Sequence, residues 1–234
     1  MEKQQYQITR LTQEAPDTFI IQVKPLNDTV FSFIPGQFVG IAIPNFTTKK
    51  INHFFSIASS PDTTHYLEFC FKVYGEWTKK LSEQKEGDTL FITVPYGKFM
   101  WDEKIPYAVF LAGGVGVTPF VSMFRSIHNK KQAPRITLLY GNRTEKTIAY
   151  KTELETLIAK LPNNKIIHIL SEVSEQNQWQ GHKGFLTKEI LEKEVALSAN
   201  PVFFVCGPLL FVQHAKKILS ELSIDQKRIK EEIF

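Results

Sequence analysis

The 234-residue chain is poor in cysteine, holding only Cys70 and Cys206. Two thiols exclude a disulfide framework and a four-thiolate metal or iron–sulfur centre, and they point to a reducing, cytoplasmic compartment. The scattered histidines His65, His128, His168, His182 and His214 show no metal-ligand spacing, and no Ser/His/Asp triad is signalled. Charge of neither sign dominates: 28 basic residues stand against 24 acidic ones, a formal +4 that lacks the weight of a nucleic-acid binder but is compatible with an acidic protein partner. The residues after Met1 (Glu2, Lys3, Gln4, Gln5) lack the apolar core of a signal peptide. One uncharged stretch, Ile105 to Phe124, is long enough to cross a bilayer. Gly113, Gly114, Gly116 and Pro119 interrupt it, so it reads as strand, turn and helix start, and no membrane span is expected. Internal repeats and low-complexity segments are absent.

Hydrophobic residues make up 43% of the chain, enough for real cores, and the length favours two modest domains over one large one. From Tyr6 to Val94 short β-rich runs alternate with turn residues. Phe19–Val23, Gln37–Ile43, Tyr66–Val73 and Thr89–Val94 are the clearest, with Leu67, Phe69, Phe71 and Val73 spaced along one strand face. This pattern predicts a small β-barrel or sandwich. From Pro106 onward strands alternate with helices: Tyr107–Ala112, Arg135–Tyr140, Lys165–Leu170, Val202–Cys206 and a closing strand Arg228–Phe234. The helices are Pro119–His128, Lys151–Lys160, Thr187–Val195 and Leu209–Leu222. Such alternation predicts a parallel sheet covered by helices, a Rossmann-like α/β domain. The expected division is residues 1–102 and 103–234.

Leu111-Ala-Gly-Gly-Val-Gly-Val-Thr-Pro119 falls directly between a predicted strand and a predicted helix. Gly113, Gly114 and Gly116 permit a tight turn with backbone amides close to a pyrophosphate, and Pro119 suits a first helical turn. The spacing is not Gly-x-Gly-x-x-Gly, because Pro119 stands where the third glycine would fall. The other predicted strands end in Tyr140-Gly-Asn-Arg143, Ser171-Glu172 and Cys206-Gly-Pro208, so small and polar residues gather at one edge of the sheet. Ligands of open α/β sheets bind outside the carboxyl ends of the strands, and together these ends favour a nucleotide crevice.

In the first half, His53-Phe-Phe-Ser-Ile-Ala-Ser59 is followed by Val73-Tyr-Gly-Glu-Trp-Thr78. With the glycine turn and Cys206-Gly-Pro208, these runs resemble the ordered signature of the ferredoxin–NADP reductase-like superfamily: Arg-x-Tyr-Ser, Gly-x-x-Ser/Thr, Gly-Gly-x-Gly-x-x-Pro, Cys-Gly-Pro. Pro35-Gly-Gln-Phe38 and the ending Glu232-Ile-Phe234 resemble the family as well. The resemblance implies an FAD-binding antiparallel β-barrel, an NAD(P)-binding α/β domain, and a flavin between them. It places His53, Phe54, Phe55, Ser56, Phe71 and Val73 at the flavin, with Phe55 on its ring face and Ser56 hydrogen-bonded to N5. Gly75, Trp77 and Thr78 would hold the pyrophosphate. Gly113, Gly114, Val115, Gly116, Thr118 and Pro119 would receive the nicotinamide dinucleotide, with Gly141, Asn142, Arg143, Ser171, Glu172, Gly207 and Pro208 at the other strand ends. Ser56, Cys206 and Glu232 are the implied catalytic set. Of these, Cys206 is a packing group beside the nicotinamide rather than a nucleophile, and Glu232 either orients the nicotinamide or relays a proton. Phe234 would cover the flavin face opposite Phe55.

The implied activity is hydride transfer from NADH or NADPH to FAD, then release of electrons to a separate acceptor: a ferredoxin, an oxygenase component, a ferric chelate or free flavin. The two domains use the whole 234 residues, which puts that acceptor on another molecule. Two other readings are a non-autonomous electron-transfer subunit of a larger complex and a nucleotide-binding module without turnover. Ser171-Glu172 stands where NADPH-using relatives often carry Ser-Arg, and a carboxylate suits ribose hydroxyls better than a 2′-phosphate, so NADH is favoured. Arg143, Lys146 and Lys151 keep NADPH open. Lys49-Lys50, Lys79-Lys80 and Lys98 offer a basic rim for an acidic ferredoxin. The sequence departs from the family in carrying His53 for arginine and Phe55 for tyrosine, similar to the His-Pro-Phe-Thr block of ferric reductases and NADPH oxidases. Imidazole titrates near neutrality whereas guanidinium does not. Flavin retention is therefore expected to be weaker or more pH-dependent than with arginine, over about pH 6 to 8. Equilibrium titration across that range checks this, and a flat profile counts against it.

Overall fold

The computed structural model describes residues 3–27, 32–46, 53–63, 65–161, 163–173 and 179–234. The described residues form two compact units that do not follow chain order. The first comprises Met1–Trp101 with Thr118–Asn129, and the second Asp102–Val117 with Lys130–Phe234.

The first unit is a six-stranded antiparallel sheet built from β1 (Lys3–Ala15), β2 (Thr18–Pro25), β3 (Phe38–Ala42), β4 (His53–Ser56), β5 (Leu67–Lys72) and β6 (Thr89–Thr93). Its order is β4-β3-β6-β1-β2-β5. The Ala58 N–H donates to the Glu68 carbonyl at 2.7 Å, which brings the two end strands together and rolls the sheet into a barrel. Alternation drives the closure: Tyr6, Ile8, Ile21, Val23, Phe69, Phe71, Leu90 and Ile92 point inward and are all but fully buried. The short helix α1 (Glu76–Ser82) covers one end with Trp77 and Leu81.

The expected alternation on β5 holds, yet every residue from Leu67 to Phe71 is buried, so the strand is covered on both faces. Helix α2 (Thr118–Asn129) belongs to the same unit. It bonds β5 and the segment after β4 through Ser122, Arg125 and Asn129, which is why it groups with residues that it follows by 57 to 69 positions.

The second unit contains β7 (Tyr107–Gly113), β8 (Arg135–Asn142), α3 (Lys151–Ala159), β9 (Lys165–Leu170), β10 (His182–Lys183), α4 (Lys188–Glu194), β11 (Val202–Gly207), α5 (Leu209–Glu221) and β12 (Ile229–Ile233). The six strands are all parallel, ordered β10-β9-β8-β7-β11-β12. Helix α5 presents Val212, Ala215, Ile218 and Leu219 to the sheet at helical spacing, and α4 starts at Thr187, whose hydroxyl accepts from the Ile190 N–H at 3.3 Å. The predicted strands and helices appear at the expected positions. Added to them are β1 at its full length, β4, α1 and the two-residue β10. No helix among the described residues is long and apolar enough to cross a membrane.

Gly36, in the expected strand-opening run, has φ +101, and a Cβ there would overlap the Phe99 carbonyl oxygen. Gly36→Ala is therefore expected to destabilise the protein by about 2–4 kcal/mol, from backbone strain and overpacking together. Urea denaturation measures it; an unchanged midpoint would show that the barrel relaxes around this site.

Candidate active site

Because His53-Phe-Phe-Ser56 is a strand, its side chains alternate. His53 and Phe55 share one side and both lie against the indole of Trp77, His53 at 4.2 Å and 14° between planes, Phe55 at 5.5 Å and 25°. Behind Phe55 stands Phe71, edge-on at 6.2 Å and stacked in turn on Phe19 at 5.8 Å. Phe71 is 2% exposed and Trp77 5%, so neither side chain offers a surface to a ligand; they form the backing of Phe55 and His53. Phe54, on the other side, is exposed and meets Phe38 edge-on at 5.4 Å. Ser56 ends the strand half-buried, paired with Phe38 of β3.

The loop Val73–Thr78 is self-organised. Val73 donates to the Asp17 carbonyl at 2.7 Å. The N–H groups of Tyr74 and Gly75 both donate to the Thr78 hydroxyl at 3.2 Å, and that hydroxyl donates to the Gly75 carbonyl at 3.1 Å. Thr78 thus shapes the loop. Gly75 is different: its backbone is extended at φ −153, open to any residue, and nothing lies within 4 Å of where a Cβ would be. Neither backbone conformation nor packing within the protein requires glycine at this position.

In the second unit, the carboxyl ends of β7, β8 and β11 carry Gly113, Gly141 and Gly207. The ring of Phe211, in the first turn of α5, fills the space over them: a Cβ would fall 2.7 Å from it at Gly113, 2.9 Å at Gly207 and 3.5 Å at Gly141. Gly116 is constrained by backbone, since a Cβ would overlap the Cys206 carbonyl. Gly114 alone of the turn is open, at φ +54 with nothing within 4 Å, in a single 3₁₀ turn (Gly114–Val117) with half-buried Val115. Packing within the protein thus requires glycine at positions 113 and 116. Thr118 and Pro119 begin α2, buried within the first unit. The amide nitrogen of Asn142 is buried with no hydrogen-bond partner among the described residues. Ser171 and Glu172 donate from their backbones to the Asn142 and Arg143 carbonyls at 3.0 and 2.8 Å, tying the two strand tips together. The Glu172 carboxylate lies 4.0 Å from the Arg143 guanidinium, both well exposed. Pro208 is exposed and caps α5.

Cys206 is fully buried, and burial, then the Glu232 charge beside it in register on β12, pushes its thiol well above the ordinary range. This matches a packing group, not a nucleophile. Glu232 is half-buried, and Phe234 is about half exposed after the end of β12. A cavity of about 790 Å³ lies elsewhere in this unit, lined by residues such as Lys151, His168, Trp179 and Glu194; no motif residue lines it. Among the described residues no cluster of His, Cys, Asp and Glu suits a metal.

Residues 5–101 match the model of the oxidoreductase FAD-binding domain and residues 110–217 that of the oxidoreductase NAD-binding domain. NADH-cytochrome b5 reductase 2 of Candida glabrata is 30% identical over 216 residues, covering 88% of this chain and 71% of the relative. The chain belongs to the ferredoxin–NADP reductase-like superfamily. It is an NAD(P)H-dependent flavoprotein oxidoreductase that takes FAD and NADH or NADPH. The anthranilate 1,2-dioxygenase electron transfer component of Acinetobacter baylyi is 30% identical over 205 residues, 86% of this chain and 58% of the relative. In fold, the flavohem-like FAD/NAD-binding domain of nitric oxide dioxygenase from Vibrio cholerae superposes with a TM-score of 0.87 at 21% identity, covering 99% of this chain and 98% of that one.

In the FAD-binding domain the open surroundings of Gly75 fit a cofactor. A glycine that its own protein does not need leaves room for the cofactor to approach the backbone, and the same reasoning applies to Gly114 for the dinucleotide. The buried, unpartnered Asn142 amide adds a donor at the second site. Sequence reasoning missed Phe211, whose role is visible only once three strand ends converge. It also missed Phe185, which is 73% exposed. The Gly184 N–H donates to the Leu170 carbonyl at 2.8 Å, which ties the residue before Phe185 to the last residue of β9. An aromatic following a glycine in a loop carries no signal until that neighbour is known.

Replacing Gly75 by valine is expected to weaken FAD binding by about tenfold or more while leaving the FAD-free protein's melting temperature unchanged. Fluorescence titration of the apoprotein measures the first and calorimetry the second. Wild-type FAD affinity would remove Gly75 from the cofactor site.

Proposed function

We infer that the protein is an NADH-preferring reductase that hands electrons one at a time to a separate redox protein, with a haem or iron–sulfur protein as the favoured acceptor class. Bound FAD would supply the hydride-accepting and one-electron-donating chemistry. The protein's residues position and shield. His53 and Phe55, held flat by Trp77, would face the flavin, with the imidazole supplying charge toward its phosphates in its protonated form. Ser56, ending β4, would donate at N5. Thr78 holds the Gly75 loop in shape for the pyrophosphate. Gly114 and Asn142 would meet the phosphates and amide of the dinucleotide.

The NADH preference rests on one observation: Glu172 stands at the tip of β9 with Arg143 turned to it at 4.0 Å, so the nearby cation already faces an anion. A 2′-phosphate would meet that carboxylate, whereas ribose hydroxyls can donate to it. Exposed Phe185, which follows the residue tied to the end of β9, supplies a flat surface for the adenine. The acceptor class rests on the relatives, named as a cytochrome b5 reductase and a dioxygenase electron transfer component. Exposed Lys79 and Lys98 support a basic docking rim; Lys80 is already paired with Glu83 at 3.7 Å, and Lys49 and Lys50 lie outside the described residues. Both cysteines are buried and free, which supports a place in the reducing cytoplasm.

Anaerobic mixing with NADH and with NADPH tests the activity directly, through the rate at which flavin absorbance bleaches, and a panel of cytochrome b5, ferredoxin, cytochrome c, ferric chelate and free FMN tests the acceptor. Glu172→Arg is expected to raise the NADPH-to-NADH ratio of kcat/KM by about tenfold or more. A wild-type preference for NADPH would sink the Glu172 reading.

A further inference from the structure

The geometry points to the Glu68–Arg125 ion pair, with Ser122, as the positioning device that sets helix α2 against the flavin-binding strand for hydride transfer. This rests on the hydride-transfer reading above. Glu68 lies on β5 between Leu67 and Phe69 and is 3% exposed. Its two oxygens are both engaged, one accepting from Arg125 Nη1 at 2.7 Å and the other from Gln22 Nε2 at 2.8 Å. Arg125 Nη1 also donates to the Ala58 carbonyl at 3.0 Å. One turn earlier on α2 the Ser122 hydroxyl donates to the Ser59 carbonyl at 2.7 Å, and one turn later the Asn129 amide donates to the Ser60 hydroxyl at 3.3 Å. At the head of the helix Thr118 hydrogen-bonds the Cys70 thiol of β5.

Residues 118, 122, 125 and 129 recur at helical spacing, so they form one polar stripe down a single side of α2. Thr118 and Ser122 are 2% and 0% exposed. An apolar stripe would pack in several registers; a buried polar stripe with named partners holds in one, because a slip of a single residue leaves every donor unpaired. Its partners in the loop, Ala58 to Ser60, directly continue β4, the strand that carries His53, Phe55 and Ser56. The helix it fixes begins at Thr118 and Pro119, directly after the turn that carries open Gly114. The stripe therefore sets how the first turn of α2 stands against the strand that ends in Ser56, and the Gly114–Val117 turn directly precedes that helix in the chain. These are positioning residues, not catalytic ones.

The test is the double variant Glu68→Leu/Arg125→Leu, in which apolar side chains replace both charges and the packing of α2 is kept without its directional bonds. FAD affinity and NADH dissociation constant are expected within about threefold of wild type, while anaerobic flavin bleaching by saturating NADH slows by about tenfold or more. With 4-deuterated NADH the kinetic isotope effect on bleaching is expected to rise, a readout that loss of stability alone does not move. Should the double variant fail to fold, Ser122→Ala, a one-atom deletion at a fully buried position, is expected to slow bleaching about threefold with FAD retained. Bleaching at the wild-type rate, in the double variant or, where that does not fold, in Ser122→Ala, overturns the positioning role and leaves the stripe as a purely structural contact. If the wild-type protein itself is bleached by neither NADH nor NADPH, the underlying functional reading fails instead.

Discussion

A carboxylate buried on a strand with apolar neighbours on either side is the constraint from which the first unit follows. Glu68 has no access to bulk water, and leaving it unpaired would cost about 3–5 kcal/mol. The carboxylate accepts from two places, the guanidinium of α2 and the side-chain amide of β2, and the backbone N–H of the same residue donates to the Ser59 hydroxyl in the segment that follows β4. This one residue thus brings together a helix, a mid-sheet strand and the barrel's closing edge. The same strand lays Phe69 and Phe71 into the barrel core on its other face, so a single six-residue element couples apolar packing to polar register. An aromatic column starts from this core, with Phe71 behind Phe55 and Trp77 across both Phe55 and His53.

The second unit solves a different problem, the close approach of chain segments at the tips of parallel strands. Glycines there have different reasons for being glycine. Gly116 yields to the backbone of β11 and Gly113 to the ring of Phe211, while Gly114 is open toward solvent. The same division separates Gly36, locked by the Phe99 carbonyl, from Gly75, which nothing in the protein confines. Steric need within the fold and room kept for a ligand are thereby told apart residue by residue.

The sequence made both folds legible because their signals are local. Alternation at Leu67, Phe69 and Phe71 and the strand–turn–helix rhythm after Pro106 depend only on neighbouring residues, and β7, β8, β9, β11 and β12 lie where that rhythm puts them. The candidate site was legible as motifs: His53–Ser56, Val73–Thr78 and the glycine turn each form one continuous piece of structure. What stayed hidden depends on residues far apart in the chain. Glu68 reads as an outward-facing strand carboxylate until Arg125, 57 residues later, covers it. Phe211 reads as an ordinary helix residue until the ends of β7, β8 and β11 meet beneath it. Trp77 sits within the family's phosphate motif, yet its side chain faces inward, because the indole fills the gap between His53 and Phe55.

The path of the chain through α2 has a consequence for synthesis. The first unit is interrupted: Asp102–Val117 enters the second unit's sheet before Thr118–Asn129 returns to cover β5. Domains emerging from the ribosome ordinarily fold in order as each is completed. Here the leading barrel has all six strands by Thr93, but the outer face of β5, with Glu68 and Cys70, stays uncovered until Asn129 is made. By then β7 has also been synthesised, and it awaits its parallel neighbours β8 and β11 further along the chain. The nascent protein therefore has no point at which one unit is finished and the other not begun, and the two must be completed as overlapping events.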